Sequence, residues 1–145
     1  MELDLQTIGE WRKLGYYYEY EKDLKQWRFY GSKQGLKSLI KDINVYIDNP
    51  ANNTISEHIH LGPHNYLKIM TWHNAIISEK YIAGTLSELK MLRELVEDNL
   101  MHSRIGETFI IGRDYSSNTT VTMLFIVMAK GFDPASIEFE NSSFV

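Results

Sequence analysis

Apolar residues recur at helical spacing in two stretches of the chain. After Gly31-Ser32, the residues Leu36, Leu39, Ile40, Ile43, Tyr46 and Ile47 follow the i, i+3, i+4, i+7 spacing of one buried face. The pattern predicts a helix to about Asp48. Asn49-Pro50 stops it, because a residue before proline avoids the helical region. Lys33, Lys37 and Lys41 form a ridge along another face. A second helix is expected from Gly84-Thr85. Thr85 and Glu88 make a capping box, in which each side chain satisfies a free backbone N–H of the first turn. Leu89, Leu92, Leu95, Val96 and Leu100 form its apolar stripe, with Ser87, Lys90, Glu94, Glu97 and Asp98 away from it.

Elsewhere the period shortens to that of strands. Leu14–Glu21 alternates, with Tyr16, Tyr18 and Tyr20 on one face and Tyr17, Glu19 and Glu21 on the other. Lys22–Lys25 is a polar turn, and Gln26–Tyr30 returns as its hairpin partner. Glu57–Leu61 and Tyr66–His73 flank the turn dipeptide Gly62-Pro63, and Ala75–Ala83 reads as a weaker strand. Glu107–Arg113 and Thr119–Lys130 make a last hairpin around Asp114–Asn118. The final strand is apolar on both sides: Val121, Met123, Phe125 and Val127 against Leu124, Ile126 and Met128. Such a strand belongs in the middle of a covered sheet or at an interface.

The order is hairpin, helix, hairpin, helix, hairpin, a similarity of element order with no repeat visible in the residues. Short hairpin connections imply antiparallel pairing. The expected class is α+β: a two-layer sandwich with an antiparallel sheet and two helices on one face. A length of 145 residues suits a single domain over 1–145, with the polar tail from about 138 expected to be disordered.

Composition narrows the chemistry. The chain has no cysteine, which excludes disulfides, thiolate metal sites and cysteine nucleophiles. The longest apolar run, Met123–Ala129, is far short of the ~20 residues a membrane helix needs. The start of the chain, MELDLQTIGEWRK, lacks the apolar core of a signal peptide, so a cytoplasmic location and no membrane partner are expected. The net charge is −4, and all of it arises after residue 50. Overall acidity argues against nucleic acid as a partner, which needs several cations to displace counterions. It suits a basic protein partner.

Candidate chemistry centres on histidine. His58 and His60 share a strand face, and His64 stands just past the Gly62-Pro63 turn. Imidazoles so placed suggest a divalent-metal site, either a binding domain or the centre of a metal-dependent enzyme. The plainer alternative is a polar strand face that carries imidazoles, with no metal or other cofactor. No G-x-S-x-G elbow or phosphate loop occurs. The Lys33/Lys37/Lys41 ridge suits phosphate or an acidic partner, or is simply a solvated helix face.

Aromatic residues crowd the first third: Trp11, Tyr16, Tyr17, Tyr18, Tyr20, Trp27, Phe29 and Tyr30. Some must build core. One small hairpin cannot hide them all behind two helices, so the surplus is expected on the surface, where tyrosine and tryptophan anchor interfaces. Tyr16, Tyr18, Tyr20 and Trp27 are the expected partner-binding residues. The partner is another protein or a second copy in a homodimeric scaffold.

Three segments carry a resemblance: Glu57–Trp72 (EHIHLGPHNYLKIMTW), the helix after Gly84 (TLSELKMLRELVEDNL) and Lys130–Ser136 (KGFDPAS). Together, over about residues 55–137, they resemble small stand-alone immunity proteins of bacterial polymorphic toxin systems. The resemblance implies a non-enzymatic cytoplasmic protein that binds and neutralises a cognate toxin. It brings no catalytic residues with it. If that toxin is a basic nuclease, acidic groups would be expected where its substrate binds.

Overall fold

A computed structural model describes residues 4–138. The elements are α1 (Leu5–Leu14), β1 (Tyr17–Glu21), β2 (Gln26–Gly31), α2 (Lys33–Ile47), a 3-10 turn (Pro50–Asn53), β3 (His58–Leu61), β4 (Leu67–Thr71), β5 (Ile76–Ile77), β6 (Tyr81–Gly84), α3 (Leu86–Met101), β7 (Thr108–Ile111) and β8 (Thr122–Val127). The α+β class is as expected, and α2 and α3 lie where the apolar stripes put them. Of the tail expected to be disordered, residues 139–145 lie outside the described residues.

Three features differ from the expectation. The first is α1, which the apolar pattern did not mark because it buries only Trp11 and has Gly9 in its middle. Its ends hold it. The Asp4 carboxylate accepts from the Thr7 N–H, and Gly15 stops the helix in the left-handed region at φ 95°. The second is Ala75–Ala83, which is a tight hairpin rather than one strand. Ser78 turns the chain: its hydroxyl oxygen accepts from the Tyr81 N–H at 3.1 Å and the Lys80 N–H at 3.3 Å.

The third is the sheet. Instead of one antiparallel sheet there are two mixed sheets, ordered β1-β2-β8-β7 and β3-β4-β6-β5. Each hairpin is antiparallel, as short turns require. The central pair of each sheet is parallel: Phe29 lies opposite Phe125 in the first, and Ile69 opposite Ile82 in the second. Turn length dictates pairing within a hairpin. It says nothing about how one hairpin docks on another.

The two sheets reveal an internal repeat of ββαββ, with β1-β2-α2-β3-β4 matching β5-β6-α3-β7-β8. Each sheet joins the leading hairpin of one half to the trailing hairpin of the other, so the halves are intertwined. Residues correspond at the helix starts. Gly84, Thr85, Leu89, Leu92 and Val96 stand 53 positions after Gly31, Ser32, Leu36, Leu39 and Ile43. Ser32 and Thr85 both cap their helix from extended backbone, accepting from the N–H three residues on. The six leucine, isoleucine and valine side chains among these pairs are all buried. Each contributes about 1.5–3 kcal/mol relative to exposure.

One core joins both sheets and all three α-helices. Gly35 sits where α2 meets the end of α1, and a Cβ there would fall on the Gly15 carbonyl. Gly9, by contrast, is exposed with open space around it. Gly35→Ala is expected to destabilise the protein by more than about 1 kcal/mol through overpacking against backbone. Gly9→Ala is expected to stabilise it by about 0.5–1 kcal/mol through helix propensity. Urea unfolding of the two variants checks the pair of signs.

Candidate protein-binding surface

The aromatic residues expected at the surface are mostly core. Tyr16, Tyr18 and Trp27 are 0%, 2% and 1% exposed, and Tyr20 is half-buried with its ring 5.1 Å from that of Trp27. This corrects the expectation of an aromatic docking face. One hairpin and two helices would indeed leave rings uncovered; the second sheet supplies the missing cover.

The rings reach that sheet with their polar ends. The Tyr18 hydroxyl donates to the Leu61 carbonyl and accepts from the Leu67 N–H at 3.3 Å, at the turn joining β3 to β4. The Trp27 indole N–H donates to the Ser78 carbonyl at 2.7 Å. From the β7–β8 loop, the Tyr115 hydroxyl donates to the Ala83 carbonyl at 2.7 Å. Burial pushes the Tyr18 hydroxyl up to about 12 and raises Tyr115 further, with Glu88 adding to the latter. Tyr16 is raised by burial and then by the charge of Asp42. Asp42 is itself raised by burial, against a hydrogen bond from Tyr16 at 3.4 Å.

The histidines do not converge. His58 and His60 stand exposed on the edge strand β3, their ring centroids 5.1 Å apart. Each Nδ1 faces a local carbonyl, Ser56 at 2.9 Å and Asn65 at 3.2 Å. His64 turns the other way, its Nε2 2.6 Å from Glu138 Oε1. Glu138 also accepts from the Trp11 indole N–H, and Arg12 makes a two-point contact with Asp133, so α1 and the segment 133–138 brace each other. Among the described residues no three His, Cys, Asp or Glu side chains are placed to hold a metal.

A trough lies between α2 and α3. Lys33, Lys37, Ile40, Lys41 and Asn44 of α2 face Glu97, Leu100 and Met101 of α3 across about 630 Å³. Ile40 and Leu100 are buried and form an apolar floor, while Met101 is 68% exposed on the rim. The helices run in opposite directions, with the start of α2 beside the end of α3. Among the described residues, none of the three lysines forms an ion pair. The sequence showed the lysine ridge; only the packing of α3 beside it makes it the wall of a trough.

The internal repeat generates a counterpart. A second trough of about 550 Å³ is lined by Asn44 and Ile47 of α2, its capping residue Asp48, and Leu86, Lys90 and Arg93 of α3. Lys90 stands in place of Lys37, and Arg93 in place of Ile40. Arg93 occupies the floor, donating to the Asn44 side chain at 2.9 Å and contacting Glu94.

No protein-family model matches the chain, and neither a curated protein nor a solved structure does. The two troughs, related by the repeat, are the comparison the molecule supplies.

Two outcomes follow from the buried hydroxyls. Tyr18→Phe removes the hydroxyl's hydrogen bonds to the Leu61 carbonyl and from the Leu67 N–H and is expected to cost about 1–3 kcal/mol, read as a shift in urea midpoint. The raised tyrosines also set an alkaline limit. An unfolded tyrosine ionises near 10, about two units below Tyr18 in the fold. As pH rises past 10 the unfolded chain gives up protons first. These groups therefore leave stability unchanged below about pH 10 and lower it from there to about pH 12. Urea midpoints measured across that range check the onset.

Proposed function

We propose that this protein acts by binding another protein stoichiometrically, as an immunity protein that occludes a cognate bacterial toxin. The observation that carries the reading is the trough between α2 and α3. It offers a concave apolar floor, an exposed methionine and lysines that form no ion pair among the described residues, the ingredients of a protein interface. The resemblance of residues 55–137 to immunity proteins supplies the class of partner. The reading moves the docking face from the aromatic hairpin to the helix pair.

Self-association is favoured by a different observation. On the outer side of the first sheet Ile110 is 55% exposed, beside half-buried Leu124 and Ile126 of β8. An uncovered apolar patch on a sheet is a candidate dimer contact. Light scattering after size exclusion separates the two: a concentration-dependent dimer lost in Ile110→Asp supports self-association.

The main test is protection. Coexpressed with the toxin encoded beside it, the protein is expected to restore growth and to copurify at one to one. Met101→Asp is expected to weaken that complex at least about tenfold, or about 1.4 kcal/mol, in a calorimetric titration. No protection and no complex with any neighbouring gene product would remove the proposal.

A further inference from the structure

We infer that the α2–α3 trough receives an acidic amphipathic helix of the partner protein. This rests on the protein-binding reading and names the chemistry of the segment bound.

The argument starts from spacing. Lys33, Lys37 and Lys41 are four residues apart on one helix, so they line one wall at intervals of about 6 Å. A row of carboxylates with the same interval is what a second helix presents when Glu or Asp recurs every four residues. The wall runs from Lys33 to Asn44, about 16 Å, which accommodates roughly three helical turns. The floor of Ile40 and Leu100 asks for an apolar stripe on the same segment. Met101 at the rim has the unbranched, polarizable side chain that adapts to such a stripe. Apolar residues bordered by acid describe an amphipathic acidic helix, bound as helix-in-groove.

Charge excludes the obvious competitor. A nucleic-acid backbone would also seek the lysines. The opposite wall carries Glu97, with Glu94 and Asp98 exposed beyond it. A polyphosphate would lie against these carboxylates and leave the apolar floor unused. A helix with acid along one flank places that flank on α2 and keeps it from α3.

The counterpart trough supplies an internal control. The same packing of α2 on α3 there has Arg93 on its floor and Asp48 at its edge. Ile47 and Leu86 also line it, but Arg93 stands where the first trough has Ile40, and no lysine row borders it. Recognition therefore belongs to the residues that differ between the troughs, and not to helix pairing as such.

The experiment uses the whole protein and a fluorescein-labelled helical peptide of about fourteen residues, with leucine at heptad spacing and glutamate every fourth residue on one flank. Saturable binding by anisotropy is expected, weakening as salt rises. The double variant Lys37→Glu/Lys41→Glu is expected to lose affinity at least about tenfold, and Lys90→Glu in the counterpart trough to stay within about twofold. Both lysine sites are exposed, and an unchanged urea midpoint verifies folding. No saturable binding, equal binding by the double variant, or displacement of the peptide by a single-stranded oligonucleotide of equal charge would overturn the inference. The protection assay keeps the two proposals separable. Protection by a protein that ignores the acidic peptide removes this inference and leaves the immunity reading. Peptide capture without protection does the reverse.

Discussion

The two sheets are joined by aromatic side chains that begin in one and end on the backbone of the other. Tyr18 and Trp27 rise from the first sheet, and their polar ends meet the Leu61 and Ser78 carbonyls of the second. Tyr115 adds a third such contact, on Ala83. Each ring contributes a large buried area and a directed hydrogen bond at once. The area makes the core, and the hydrogen bond gives the ring's own O–H or N–H a backbone acceptor as it leaves water.

The same contacts explain why the repeat is intertwined. Each sheet takes one hairpin from each half of the chain, so neither half owns a complete sheet. The stacked rings of Phe29, Phe125 and Phe109 run across β2, β8 and β7, crossing from the first half to the second. The helices then lie side by side because each follows the leading hairpin of its half. From that pairing come two related troughs, one with Arg93 on its floor and one with Ile40 and Leu100 there and a lysine wall.

Much of this was legible from residues alone. The stripe Leu36-Leu39-Ile43 and the box Thr85–Glu88 mark α2 and α3, because both signals are local. The two-faced apolar character of Thr122–Val127 marks a central strand, which β8 is. The lysine ridge was visible too. Its meaning was not, since a ridge becomes a wall only when another element supplies the floor. The aromatic residues show the same dependence in reverse: Tyr16, Tyr18 and Trp27 look surplus when only one hairpin is counted, and a second sheet hides them.

The sequence by itself determined α2 and α3, three of the four hairpins, the α+β class and the location of the excess acid, because periodicity, capping and turn chemistry act within a few residues. Only the tertiary structure decided that hairpins distant in the chain pair in parallel, that His64 faces Glu138 rather than His58 and His60, and that Lys33, Lys37 and Lys41 border an apolar trough. Those outcomes depend on which buried surfaces meet. Hydrophobic burial has no direction along the chain, so a local pattern says that a face is covered without naming what covers it.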